Sequence, residues 1–231
     1  MDRDIIALSP STLNLFIECP RCFWLHMNKN VKRPRGIFPS LPSGMDIVIK
    51  KYFDIYRVKK TLPPELFNKI EGRLLENQIL LNKWRNWRTG LTYIDTEKGA
   101  KLYGALDDCI VDKDFYIPLD YKTSSSTPTE IECEKYYGNQ LSCYNLLLAE
   151  NGYKTTDFGY LIYYSPKNVR EDGIVEFEIK LMKVNTDIQK AKKTFYDAIN
   201  LLLQDKIPAV NPECEYCNYL LTDINKYNTL F

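Results

Sequence analysis

Apolar residues recur at three- and four-residue intervals in several stretches of the chain. Between them lie alternating or short aromatic and branched runs, so the pattern predicts a mixture of helices and strands. A first helix follows Ser9-Pro10-Ser11, where a capping serine and an early proline precede Leu13, Leu15, Phe16 and Ile17. From Val31 to Ser43 the chain holds Pro34, Gly36, Pro39 and Pro42, which predicts an ordered irregular loop. Two helices are expected next, from Gly44 to about Lys59 and from about Pro64 to Trp87, as an insertion over about residues 44–90. Strand signals dominate Thr92 to Lys122: Thr92 to Ile94, Leu102 to Val111, and Phe115 to Tyr121 after a turn at Lys113-Asp114, together read as a meander. A helix from about Glu130 to Ala149 stops at Asn151-Gly152. Strands from Phe158 to Tyr164 and from Ile174 to Val184, then an amphipathic helix from about Thr186 to Gln204, complete the pattern. Strands covered by helices define an α/β (α+β) sandwich, read as a single domain over residues 1–231 with its helical insertion.

Composition narrows the class. At 231 residues, 45% hydrophobic and 26% charged, the chain can bury a substantial core. No run of about 18 apolar residues appears, and MDRDIIALSP lacks the order of a secretory signal, so a cytoplasmic address is expected. A net charge of +1 excludes binding of nucleic acid by bulk attraction, but the distribution is uneven. Between Lys29 and Lys60 nine basic residues face only Asp46 and Asp54, whereas Gly104 to Asp120 holds five aspartates and one lysine. A basic surface beside an acidic pocket suits a polyanionic substrate with divalent cations at the reacting centre.

The acidic stretch carries the chemistry. In a strand, residues two apart share a face, so Asp120 and Lys122 project together, while Tyr121 points into the core and offers its backbone carbonyl. With Asp107 on the neighbouring strand of a hairpin, two carboxylates converge, and oxygen-only ligands are what Mg²⁺ or Mn²⁺ takes, leaving positions for water and phosphate. The Lys122 ammonium would orient the water or stabilise charge in the transition state.

The seven cysteines fall into two groups. Cys109, Cys133 and Cys143 lie singly in apolar segments and are expected to be buried thiols. Cys19-Pro-Arg-Cys22 and Cys214-Glu-Tyr-Cys217 are two half-sites for sulfur ligation, able to hold zinc or an iron–sulfur cluster as a structural clasp between the two ends.

Asp107, then Asp120-Tyr-Lys122, resembles the PD-(D/E)XK nuclease superfamily, whose motif is an acid followed on a paired strand by a second acid, any residue and lysine. Gln140-Leu-Ser-Cys-Tyr144 is similar to the glutamine–tyrosine motif of its RecB-like branch, and Leu8-Ser-Pro-Ser-Thr-Leu with Cys19-Pro-Arg-Cys22-Phe-Trp resembles that branch's N-terminal helix. CRISPR-associated RecB-like exonucleases and AddB-type helicase–nucleases belong there. The resemblance implies a restriction-endonuclease-like mixed sheet flanked by helices and a metal-dependent DNA nuclease serving repair, recombination or defence. Asp107, Asp120, Lys122, Gln140 and Tyr144 would be the catalytic set, and Asp107, Asp120 and Tyr121 the metal ligands. It also implies a 4Fe-4S cluster on the clasp, though the branch places one cysteine before and three after, where this chain has two and two. DNA, single-stranded or as a double-stranded end, is the implied substrate, with RNA a second candidate and a helicase or repair complex as the implied partner. The helix after Gly44 lacks the branch's ligand histidine, and Asp46 would either replace it or be an ordinary first-turn acid favoured by the helix dipole; the sole histidine, His26, follows the first cysteine pair. Phe38, Tyr52 and Phe53, among the basic residues, are expected to guide a strand toward the pocket. A different class, a catalytically weak nucleic-acid-binding or scaffold module on the same fold, would show binding without turnover. A zinc-stapled protein-interaction domain would need the acid–lysine set to be coincidence.

Overall fold

The structure is a computed structural model that describes residues 5–34, 36 and 40–220. A short strand, β1 (Ile6–Leu8), leads into α1 (Pro10–Glu18), which starts where Ser9 caps it in a reciprocal box with Thr12. Pro20 ends that helix and begins α2 (Pro20–Lys29), with the Cys19 sulfur accepting from the backbone N–H of Cys22. Next come α3 (Ser40–Lys59), β2 (Arg73–Leu74) and α4 (Gln78–Arg85). The strands β3 (Leu91–Asp95), β4 (Ala100–Gly104), β5 (Asp108–Asp112) and β6 (Phe115–Thr123) follow. Then α5 (Glu130–Glu150), β7 (Lys154–Thr155), β8 (Phe158–Val169), β9 (Val175–Asn185) and α6 (Ile188–Leu202) complete the described elements.

Two sheets result. The larger runs β2-β5-β6-β8-β9, with β7 beside β6; the smaller runs β1-β4-β3. In the larger, β6 and β8 are parallel and joined through α5, while β5–β6 and β8–β9 are antiparallel. Period-two alternation makes β6 and β8 serve two cores. Leu119, Tyr121, Ile162 and Tyr164 pack with Ile49 and Phe53 of α3 on one face. On the other, Leu161 and Tyr163 join the helical core built from α1, α2, α5 and α6. This mixed α+β architecture agrees with the expected class.

Four expectations require correction. Residues 40–43 of the expected loop already belong to α3, which starts at Ser40 and not after Ser43-Gly44, and residues 35 and 37–39 of that loop lie outside the described residues. The helix expected from Pro64 to Trp87 is only α4, because Pro63-Pro64 opens a series of turns and Gly72 adopts φ +89° against the β5 backbone, where a Cβ would lie 2.6 Å from the Val111 carbonyl oxygen. The insertion is thus not purely helical, since β2 joins the main sheet. The expected meander is broken at residues 105–107, so β4 and β5 belong to different sheets. Gly104 closes tightly on α5, where a Cβ would stand 2.9 Å from Leu147, and the chain turns away just before Asp107. Finally, β8 continues past Ser165-Pro166 through an irregularity in its pairing with β9, which accommodates the proline.

Candidate active site and cysteine centre

The break after β4 delivers Asp107 to the start of β5, one residue before Asp108 pairs with Leu119 across the hairpin. The carboxylate of Asp107 is held from two sides: its Oδ2 faces the Tyr121 backbone N–H at 3.4 Å, and its Oδ1 lies 2.7 Å from Lys50 Nζ of α3. Lys50 also reaches Asp46 at 2.8 Å, one helical turn earlier. Burial opposes the Lys50 charge, but Asp107 and then Asp46 outweigh it and raise its pKa.

Asp120 projects from β6 toward α5 and is only 2% exposed. There Gln140 Nε2 donates to Asp120 Oδ1 at 3.2 Å and lies 2.8 Å from the Tyr144 hydroxyl. Lys122 pairs with Asp120 Oδ2, lies 3.4 Å from Gln140 Oε1 and sits over the Tyr137 ring. Burial pushes the Asp120 pKa up to about 7, with the Lys122 ammonium opposing and the Asp107 charge adding. The five expected catalytic residues are thereby gathered at one end of the β5–β6 hairpin under α5.

The donor set fits a hard divalent cation. Apart from the Lys122 ion pair, the buried Oδ2 of Asp120 has no hydrogen-bond partner, and Asp107 supplies a second carboxylate nearby. Asp46 approaches this centre only through Lys50.

Behind Asp107 lies a network that the sequence reading missed. Asp108 is fully buried, and its Oδ2 accepts from Arg57 at 2.5 Å, the Tyr121 hydroxyl at 2.6 Å and Arg85 at 3.1 Å. Arg85 also donates to the backbone carbonyl of Asp107 at 2.7 Å and to Asp54 at 2.8 Å. Burial and the Asp108 charge hold the Tyr121 phenol neutral, well above its ordinary pKa. Two features signalled this arrangement: an aspartate opening the apolar run Asp108-Cys-Ile-Val, and Asp54 three residues before Arg57. Replacing Asp108 with alanine removes the buried carboxylate shared by Arg57, Arg85 and the Tyr121 hydroxyl, leaving Arg57 only the Asp54 carboxylate at 3.3 Å, and is expected to cost about 3–5 kcal/mol. Urea unfolding would measure it, and a loss under about 1 kcal/mol would show the network to be dispensable.

The basic run from Lys29 to Lys60 is therefore not one solvated face, since Arg57 and Lys50 turn inward. Phe53 is fully buried in the α3 core, and Tyr52 is half-buried with its hydroxyl on Glu65 at 2.9 Å, so neither guides a strand; Phe38 lies outside the described residues. Cys109, Cys133 and Cys143 are buried, as expected.

Cys19, Cys22, Cys214 and Cys217 come together with all four sulfurs within 4.8 Å of one another. Three sulfur–sulfur separations, Cys19–Cys217, Cys22–Cys214 and Cys22–Cys217, are 3.7 Å. A regular tetrahedron of thiolates about 2.3 Å from one zinc ion has edges of about 3.8 Å. The donor set therefore fits a single tetrahedral ion. Arg33 Nη2 lies 3.2 Å from Cys214 Sγ while Nη1 binds Glu18 at 2.5 Å, placing a cation where thiolate charge would accumulate. At Cys214 burial opposes ionisation, yet the Cys217 backbone N–H and the neighbouring thiols lower the pKa to about 7.

Residues 48–220 match the family profile of the PD-(D/E)XK nuclease superfamily. The chain belongs to that superfamily, whose members hydrolyse phosphodiester bonds in nucleic acid, typically with divalent metals. No curated protein matches the chain. Among solved structures, the crystal structure of SSO0001 is similar at a TM-score of 0.46 and 16% identity, over 96% of this chain and 86% of that one. Among the described residues, no helix is long and apolar enough to cross a membrane.

Proposed function

We propose that the protein is a metal-dependent DNA nuclease of the RecB-like branch, acting in the cytoplasm in DNA repair, recombination or defence beside a helicase or repair complex. The observation that carries this reading is the bridge made by Gln140, which joins Asp120 on the strand to Tyr144 on the helix while Lys122 approaches its carbonyl oxygen. Two short motifs, one on β6 and one on α5, meet in one constellation.

Asp107, Asp120 and the Tyr121 carbonyl would hold Mg²⁺ or Mn²⁺, which when bound supplies Lewis acidity and a water of lowered pKa. Gln140 holds the Asp120 carboxylate through Oδ1, leaving Oδ2 with only its Lys122 ion pair. Lys122, kept charged by Asp120, orients the attacking water and stabilises negative charge on the phosphoryl oxygens as the new P–O bond forms and the leaving P–O bond breaks. Tyr144 offers its hydroxyl proton to the phosphate or the departing oxygen. Arg85 and Lys50 position Asp107 without touching substrate.

At the cysteines we propose zinc in preference to a 4Fe-4S cluster. A cluster places four irons and four sulfides among its ligands, spreading the cysteine sulfurs wider than the spacing of one tetrahedral ion. The catalytically weak binding module is the second reading. It draws support from Lys50, which already neutralises Asp107 where the resembled branch has a histidine on that helix.

Labelled single- and double-stranded DNA incubated with Mg²⁺, Mn²⁺ or EDTA tests the reading. Products should form only with metal; binding with no product under any condition would leave the scaffold reading in its place.

A further inference from the structure

The wall formed by Gln140 and Tyr144 continues outward into a cleft of about 430 Å³, also lined by Asn14, Tyr103 and Trp87. Trp87 lies in the turn between α4 and β3 and is 66% exposed, whereas Trp24 and Trp84 are buried. Trp87 is thus the tryptophan that presents its ring at a cleft, beside Tyr103. A second cleft, of about 340 Å³, shares Trp87 and Tyr103 with the first and is also bounded by Arg88 and Lys101. Alternation along β4 turns Ala100, Leu102 and Gly104 inward and leaves Lys101 and Tyr103 on the outer face. Arg88 lies over the Trp87 ring, 5.0 Å from its centre. Neither cleft has an acidic residue in its lining, although the catalytic pocket beside them is built from carboxylates.

From this geometry we infer a nucleotide-binding track that receives unpaired nucleotides next to the scissile phosphate. Their bases stack on Trp87 and Tyr103, and their phosphates meet Arg88 and Lys101. An aromatic platform beside a cationic edge is how single strands are held without sequence readout, and a base inside a duplex cannot present its face to it. The track therefore selects single-stranded or frayed nucleic acid. This inference rests on the nuclease reading above and adds the form of the substrate to it.

The test titrates oligothymidylate, oligouridylate and a blunt duplex into the metal-bearing protein in Ca²⁺ buffer, reading anisotropy and tryptophan emission. Because the other two tryptophans are buried, a change in emission reports on Trp87. Thymidylate, uridylate or both should quench it, identifying DNA, RNA or either as the source of the unpaired base. Trp87→Ala should weaken single-strand binding about tenfold with duplex binding unchanged, and Trp87→Phe should restore most of it. In cleavage assays the loss should appear in KM. Equal single-strand binding by wild type and Trp87→Ala, or an equal loss for the duplex, overturns the track. Wild type that cleaves while Trp87→Ala keeps the same KM refutes the track alone. The nuclease reading itself fails separately, if wild type cleaves nothing with Mg²⁺ or Mn²⁺.

Discussion

Replacing Cys214 and Cys217 together with serine is expected to abolish the cooperative unfolding transition of the native protein. The four sulfurs tie α1 and α2 to a segment almost two hundred residues later, and the apolar side chains at that junction pack around the sulfurs themselves. Besides the sulfurs, its contacts include the packing of Val210 and Tyr216 with Leu15 around the cluster and hydrogen bonds such as Arg21 to the Pro208 carbonyl and Asn211 to the Glu18 carbonyl. Apparent binding free energies of structural zinc sites reach about 10–16 kcal/mol in small peptides, comparable with the whole stability of an ordinary domain. Without its ion the cluster becomes four buried thiols and a guanidinium whose Nε already has no partner. A strong chelator should act on the wild type as the serine substitutions do, slowly and reversibly on addition of zinc. Elemental analysis should find about one zinc per chain. About four irons per chain would replace zinc with a cluster, and an unchanged melting curve in the double variant would remove the structural role altogether.

Asp120→Asn is expected to gain stability while losing cleavage. A carboxylate raised to about 7 by burial binds a proton in the folded state that it has released in the unfolded chain above about pH 4. Since the folded state holds more protons in that interval, stability in EDTA falls as pH rises from about 4 to 7 and then levels. The cost at the plateau is on the order of 4 kcal/mol, so the asparagine variant should melt higher than wild type above about pH 7 and nearly equal to it near pH 4. Catalysis should move the other way, by a factor of about 10² or more, because the amide cannot supply a charged ligand oxygen. A variant that melts lower than wild type at every pH would mean that Asp120 is there for structure.

How far these features could be read in the sequence depended on whether they were local. The cap at Ser9, the Lys113-Asp114 turn and the Asn151-Gly152 stop are local chemistry, and each lies where its residues predicted. Asp120, Lys122, Gln140 and Tyr144 stood out by resemblance to the superfamily's motifs, and strand and helix periodicities explain why Asp120 and Lys122, and Gln140 and Tyr144, share a face. The turns in residues 64–72 were not, because the apolar spacing of Leu66, Phe67 and Ile70 imitates a helix, while Pro63-Pro64 and the approach of Gly72 to β5 decide the backbone. The Asp108 network joins α3, α4 and β5, and no single stretch of sequence contains its geometry. Lys50 left one sign, its four-residue spacing from Asp46, but a helical ion pair of that kind usually lies in solvent.

The most direct test compares wild type and Lys122→Ala in single-turnover cleavage of end-labelled single-stranded DNA with Mg²⁺ or Mn²⁺, alongside binding of the same DNA in Ca²⁺. Metal-dependent products are expected from the wild type, with a loss of about 10²–10³ in rate for the variant and nearly equal binding by both. Equal cleavage by the two proteins would remove Lys122, and with it the proposed site, from the reaction.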